Sequence, residues 1–287
     1  MNGCCRWRQT ADALLLVLVV MTGLVLVMSC ATTPRGEREI VIAGSDTMLP
    51  LNRRLAETYM RGHPGVAVRV SGGGTGHGVE QLLAGAVDLC AASRPFRPDE
   101  IEALNRTFGT IGLRYLIARD ALSVYVHPTN PVRSVSLAEL AGLFSGAVTD
   151  WSEIGGAELP VRIVIRPPSS GTHHFFRDHV LGGADFTPNA EVASRVGDVI
   201  ARVAADPGAV GYGDLAHDGA VDHLLIDDVA PSADTVRRGE YPLARYLYYY
   251  AAAPAEGAGR DYVEWCLGPD GQRVVEQVGF IAPWVDD

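Results

Sequence analysis

Val66-Ala67-Val68-Arg69-Val70, then Ser71-Gly72-Gly73-Gly74-Thr75-Gly76-His77-Gly78, then Val79-Glu80-Gln81-Leu82-Leu83-Ala84 read in series as an alternating strand, a loop of small residues and a helix. The order recurs. Glu39 to Ala43 reads as a strand, Gly44-Ser45-Asp46-Thr47 as a loop, and Leu51 to Arg61 as a helix with Leu51, Leu55, Thr58 and Tyr59 on one face. Val161 to Ile165 is a strand, Ser169-Ser170-Gly171-Thr172 a loop, and Thr172 to Val180 a helix. Strand, loop and helix in alternation predict an α/β fold with parallel strands and crossover helices. Loops at the carboxyl ends of such strands are where ligands bind.

The remaining segments complete the pattern. Val87 to Ala91 is a short strand ending at Ser93-Arg94-Pro95, and Asp99 to Asn105 a helix. Tyr115 to His127 is extended, broken near Ala118-Arg119-Asp120, and Leu137 to Phe144 is a helix. Val192 to Ala204 reads as an amphipathic helix stopped by Asp206-Pro207-Gly208, followed by a strand from Ala209 to Tyr212. Leu243 to Ala251 is an extended aromatic run, with Tyr246, Tyr248, Tyr249 and Tyr250 read as a buried strand or hinge. Asp261 to Leu267 and Gly271 to Val278 are the last helices. The α/β pattern thus runs twice, which suits a ligand held between two halves.

The three loops share a chemistry. Small residues let a ligand approach the backbone, and a helix start offers unpaired N–H groups and the positive end of the helix dipole. Together they suit a small oxyanion. Arg166, just before the third loop, adds a planar positive charge. The middle loop is not a dinucleotide fingerprint, because its glycine spacing fails at His77. Ser170, His173 and Asp178 invite a hydrolase reading, but no Gly-x-Ser-x-Gly elbow frames the serine. His173, His174 and His179 lack the spacing of a helical metal pair and read as helix-surface or cleft-rim residues.

All 24 basic residues among the 287 are arginine. Without lysine there is no Walker phosphate loop and no Schiff base. A net charge of −10 argues against a general nucleic-acid surface. At the N-terminus Arg6 and Arg8 precede an apolar run from Ala13 to Met28, and Val27-Met28-Ser29-Cys30 resembles a bacterial lipobox. The expectation is a signal peptide over 1–29, a tether over 30–38, and lipidation of Cys30, the alternative being an uncleaved N-terminal anchor. Cys90 and Cys266 remain in the folded part, and buried free thiols are favoured over a disulfide.

Taken together, Ala43 through Pro50, Gly72 through Gln81, Val87 through Pro95, Leu143-Phe144-Ser145-Gly146 with Trp151, Ser169 through Thr172, Asp206 through Tyr212 and Gly268 through Gln272 resemble the PstS-type phosphate-binding proteins of bacterial ABC importers. The resemblance runs from Glu39 to Pro283. It implies a two-lobed type II periplasmic-binding-protein fold, α/β in class, with a mixed sheet flanked by helices in each lobe and the ligand cleft between. Lobe 1 would be residues 39–118 plus 244–287, and lobe 2 residues 119–243.

The resemblance also implies roles. Thr47 gives its hydroxyl and Met48 its backbone N–H, and Thr75 gives a hydroxyl from the glycine-rich loop. Arg166 pairs with the anion's charge, and Ser170, Gly171 and Thr172 cradle it. Ser93 stands where better-known members carry an Asp that accepts the phosphate's proton, with Asp46 the nearest other acceptor. The implied protein is a monomer outside the cytoplasmic membrane, lipid-anchored, periplasmic or at the cell surface. It uses no cofactor and no metal, catalyses nothing, binds no nucleic acid, and hands inorganic phosphate to ABC permease subunits. The alternatives are another tetrahedral oxyanion, sulfate or molybdate, or a phosphate-sensing lipoprotein without transport.

The anchor has a direct test. Cys30→Ser is expected to leave the chain unprocessed or released from the membrane, and mass spectrometry of the native mature protein should find a lipidated Cys30. An unmodified Cys30 in the mature protein contradicts the expectation.

Overall fold

A computed structural model describes residues 39–216 and 220–283, and all that follows concerns the compact unit Arg38–Asp287. The expected signal peptide, tether and lipidated Cys30 lie outside the described residues.

The chain first runs β1 (Glu39–Gly44), α1 (Leu49–Gly62), β2 (Ala67–Ser71), α2 (Thr75–Leu83), β3 (Leu89–Ala92), α3 (Pro98–Phe108) and β4 (Leu113–Ala121). It continues through β5 (Ser123–Val126), β6 (Ser134–Val135), α4 (Leu137–Ser145), a 3₁₀ turn (Trp151–Ile154), β7 (Arg162–Ile165), α5 (Gly171–Val180), β8 (Glu191–Val192), α6 (Val196–Ala205) and β9 (Ala209–Gly213). The last elements are β10 (Asp222–His223), β11 (Leu225–Ile226), α7 (Ala233–Arg237), β12 (Ala244–Ala251), α8 (Gly257–Leu267) and α9 (Pro269–Gln277).

Two five-stranded sheets result, ordered β2-β1-β3-β12-β4 and β10-β5-β9-β7-β8, with a small β6–β11 pair beside them. The strand–loop–helix units supply the parallel pairs β1–β2, β1–β3, β7–β8 and β7–β9. The expected parallel arrangement holds only for these. β12 runs antiparallel to β3 and β4, and β5 runs antiparallel to β9 and β10, so both sheets are mixed. The antiparallel strands are the ones flanking the passages from one sheet to the other. The chain leaves the first sheet at Leu122 and returns after Leu243, and the Leu122 N–H donates to the Leu243 carbonyl at 3.0 Å. The break in the long extended run is therefore at Leu122, two residues beyond the expected Ala118–Asp120.

Other element ends shift for local reasons. α2 starts at Thr75, so half of the expected glycine-rich loop forms its first turn. The helix expected from Val192 begins at Val196. Glu191 and Val192 pair with β7 instead, and the Arg195 N–H is capped by Asp198 Oδ2 at 3.1 Å. On the first sheet, α1, α8 and α9 bury Leu51, Leu55, Tyr59, Tyr262, Val263 and Val274 in one core. Cys90 and Cys266 are free, buried thiols in separate clusters. On the second sheet, Phe144, Trp151, Phe176 and Tyr212 centre the core, and the Trp151 indole donates to the Gly208 carbonyl at 3.0 Å.

His173 is not a surface residue. It is buried, its ring lies 4.7 Å from Phe186, and its Nδ1–H donates to the Arg166 carbonyl at 2.8 Å. A carbonyl only accepts, so this contact fixes the Nδ1–H tautomer. It also ties the first turn of α5 to the end of β7. Burial pulls the His173 imidazole below the ordinary histidine value, and the hydrogen bond opposes this. His174 is lowered too, by burial and by Arg94 and Arg97.

A histidine held neutral in the folded state binds its proton more readily when unfolded. Its stabilisation is complete above the unfolded value of about 6.5 and is lost as pH falls toward the folded value. Thermal unfolding should therefore occur at progressively lower temperature between pH 7.5 and 5.5. The His173→Asn, His174→Asn double variant should flatten that dependence. A wild-type midpoint that is flat over this range, or a double variant with the same slope, contradicts the reading.

Candidate functional site

Strand ends and backbone contacts bring the three loops together. Gly44 closes β1 at φ 139°, and a Cβ there would stand 2.2 Å from the Ala91 carbonyl oxygen, so only glycine lets β1 and β3 run this close. The loop after Gly44 is tied to the glycine-rich loop twice. Gly74 N–H donates to the Gly44 carbonyl at 2.9 Å, and Gly73 N–H donates to Asp46 Oδ1 at 2.9 Å. Ser93 follows β3 and its N–H donates to Thr75 Oγ1 at 3.2 Å. Thr47, Thr75 and Ser93 are thus gathered at the carboxyl ends of the first sheet.

The second sheet contributes Arg166 and the start of α5. Arg166 N–H donates to the Tyr212 hydroxyl at 3.2 Å, and its carbonyl receives His173, so the residue is gripped on both sides. Ser170 is the N-cap of α5, its Oγ accepting the Thr172 N–H at 3.2 Å.

The two groups meet. Gly76 N–H donates to the Ser169 carbonyl at 3.1 Å, and the hydroxyls of Thr47 and Thr172 are 3.0 Å apart. Arg166 Nη2 reaches Asp46 Oδ2 at 3.2 Å and the Ser194 carbonyl at 2.9 Å. At Gly171 a Cβ would fall 2.4 Å from Thr75 Oγ1 and 2.5 Å from Ser93 Oγ. Thr47, Thr75, Ser93, Arg166, Ser170 and Thr172 are each at most 3% exposed. Seven of the eight residues expected from the sequence therefore lie in one buried polar cluster.

The eighth, Met48, differs in the group it offers. Its N–H donates to the Ser45 carbonyl at 3.2 Å and its side chain is fully buried in the core below the loop. It anchors the loop.

Burial draws the Arg166 guanidinium below its usual value and the Asp46 carboxylate opposes the shift, leaving a charged group with little water around it. Arg166 Nε, Arg166 Nη1 and Ser93 Oγ are buried and have no hydrogen-bond partner among the described residues. A buried donor without an acceptor is costly, and a charged one more so. Those atoms fit a small oxyanion that accepts from a guanidinium and from surrounding hydroxyls. Arg94, next to Ser93, is turned away from the cluster. It is held by Glu100 through two contacts of 2.7 Å. Among the described residues no group of His, Cys, Asp and Glu is arranged to hold a metal ion.

Sequence reasoning missed Arg245 and Asp120. They stand opposite each other in the β12–β4 register. Asp120 Oδ2 accepts from Arg245 Nε at 2.8 Å and from Nη2 at 2.6 Å, and Arg245 Nη1 donates to Thr172 Oγ1 at 2.9 Å. The available signal was Arg245, the one charge in the otherwise apolar and aromatic run Leu243–Ala251, where a buried charge requires a partner; Asp120, beside Arg119, gave no such signal.

The sequence matches the PBP superfamily domain over residues 30–270. It is 30% identical over 246 residues to the phosphate-binding protein PstS of Bacillus subtilis, covering 84% of this chain and 80% of the relative. Against the phosphate-binding protein PstS of Pseudomonas aeruginosa PAO1 the identity is 26%, covering 83% of this chain and 81% of the relative. Among solved structures, an ABC-type phosphate transport receptor from Vibrio cholerae superposes with a TM-score of 0.71 at 25% identity, covering 85% of this chain and all of that one. A substrate-binding protein from Clostridium perfringens, solved with bound phosphate, shares the fold at a TM-score of 0.79 and 24% identity, covering 86% of this chain and 100% of that chain. The fold, the cluster of loops and these matches place the chain in the PBP superfamily, among the PstS-type phosphate-binding proteins.

Proposed function

We propose that this protein captures inorganic phosphate outside the cytoplasm and delivers it to an ABC-type permease. The observation that carries the reading is the buried Arg166 guanidinium, two of whose nitrogens lack an acceptor among the described residues, within a ring of hydroxyls from two sheets. Phosphate would accept from Arg166, from the hydroxyls of Thr75, Ser93 and Ser170, from whichever of the paired Thr47 and Thr172 hydroxyls does not donate to the other, and from the backbone at Gly171, the first residue of α5. The two sheets with their helices act as the lobes; the division expected at 118/119 and 243/244 moves to Leu122 on the first passage, because β4 stays in the first sheet through Ala121. The Gly76–Ser169, Thr47–Thr172 and Arg166–Asp46 contacts join the lobes and belong to the closed form. Opening would break them, so a bound anion that adds bonds to both sides favours closure.

Ser170 Oγ caps α5 by accepting the Thr172 N–H, and the His173 Nδ1–H goes to the Arg166 carbonyl rather than to the carboxylate of a Ser-His-Asp triad, which supports a binding role over a serine hydrolase. Among the described residues no helix is long and apolar enough to cross a membrane. Attachment is assigned to a lipid on Cys30, with a monomeric protein below it.

The selectivity reading rests on Ser93. A carboxylate beside the anion accepts a proton from phosphate and repels fully ionised sulfate, whereas a hydroxyl donates to either. The buried Ser93 Oγ favours a site that holds phosphate with weak rejection of sulfate.

Calorimetric titration tests both points. Removing one partner of a desolvated charge pair costs about 2–5 kcal/mol, so Arg166→Ala should weaken phosphate binding roughly 30-fold or more. Unchanged affinity in a folded Arg166→Ala protein contradicts the site. Ser93→Asp should raise the preference for phosphate over sulfate by about tenfold or more. An unchanged ratio, in a protein that still binds phosphate, contradicts the selectivity account.

A further inference from the structure

Arg245 has three directed bonds, and one of them is not needed to satisfy Asp120. Nε and Nη2 both serve Asp120 Oδ2, and Asp120 Oδ1 accepts the Leu215 N–H at 3.3 Å, so the carboxylate is already satisfied. Nη1 leaves this pair and reaches Thr172 Oγ1 at 2.9 Å, the hydroxyl that also lies 3.0 Å from Thr47 Oγ1. The Arg245 side chain is 1% exposed and that of Asp120 is 0% exposed, so no water competes for these contacts.

The directions of these bonds are set by chemistry. A guanidinium only donates, so Thr172 Oγ1 accepts from Arg245. The two threonine hydroxyls hold two protons, and one of them makes the Thr47–Thr172 bond whichever residue donates it. The other proton points out of the pair. Arg245 also covers the Thr172 lone pair that would otherwise be free to face an anion. Charge on Arg245 polarises the chain in the donating sense, and the dry surroundings strengthen each step.

Position adds a second consequence. Asp120 and Arg245 are opposite partners in β4 and β12, close to the passages between the sheets at Leu122 and Leu243. Thr172 is on α5, which packs with the second sheet's core. The Arg245–Thr172 bond therefore spans the two sheets near the point where they are joined.

We infer that Arg245, held by Asp120, is a positioning residue for the anion site: it sets the Thr172–Thr47 hydroxyl pair as a donor and couples the inter-sheet passage to the closed cluster. The inference rests on the phosphate reading above.

The test is a double-variant cycle by calorimetric titration with inorganic phosphate, using the full globular chain. Arg245→Lys keeps the charge but cannot serve Asp120 and Thr172 together, so it should weaken binding by about tenfold or more. Thr172→Val should weaken it similarly. The combined variant should bind no more weakly than Thr172→Val alone, because both changes remove the same oriented hydroxyl. Asp120→Asn is the second route to the same loss, with the same disappearance in the Thr172→Val background.

A purely structural ion pair would lower the unfolding temperature but leave phosphate affinity within about twofold, or give losses that multiply with Thr172→Val. Either result overturns the inference. Phosphate binding that is lost in Arg166→Ala but kept in Arg245→Lys and Asp120→Asn removes this inference alone. A wild-type protein that ignores phosphate removes the functional reading, and this inference with it.

Discussion

A buried guanidinium that its own protein satisfies only in part is the constraint around which this molecule is arranged. Arg166 is 1% exposed, and its neighbours give it one carboxylate and one carbonyl, both on Nη2. Holding such a group out of water requires acceptors, and the fold supplies directed donors and hydroxyls around it instead. The rigid grip on Arg166, through Tyr212 on its N–H and His173 on its carbonyl, keeps the charge at the seam between the sheets. The groups that meet at this seam are those an oxyanion can bridge.

The seam is built from residues chosen for size as much as for polarity. Gly44 allows β1 and β3 to converge, and Gly171 allows α5 to touch Thr75 and Ser93. Around them, charge is balanced locally: Asp46 answers Arg166, Asp120 answers Arg245, and Glu100 answers Arg94. A net charge of −10 is therefore no obstacle to anion binding, since the field inside a dry cleft is governed by the nearest dipoles and charges.

Much of the fold was legible in the sequence because its units are local. Alternation in Val66–Val70, the small residues that follow and the helical run after them are read within twenty residues, and β2 formed where that pattern placed it, while α2 formed there with its start one turn earlier, at Thr75. The cluster was legible in part for the same reason, since Thr47, Thr75, Ser93, Arg166 and Ser170 to Thr172 all sit in such loops. What was missed is non-local. Arg245 lies in an aromatic strand with no loop signal, and its partners are 125 residues away at Asp120 and 73 away at Thr172. The antiparallel insertion of β12 between β3 and β4 is a topological outcome that no window of sequence carries. The burial of His173 was hidden for a related reason: its acceptor, the Arg166 carbonyl, is a backbone atom that residue type does not advertise.

The most direct measurement is a crystal structure of the protein grown with phosphate. The account places one phosphate between the two sheets, with oxygens in hydrogen-bond contact with Arg166 Nε and Nη1, Ser93 Oγ and the Thr47–Thr172 pair. A phosphate bound elsewhere, or an Arg166 whose free nitrogens make no contact with it, would contradict the account.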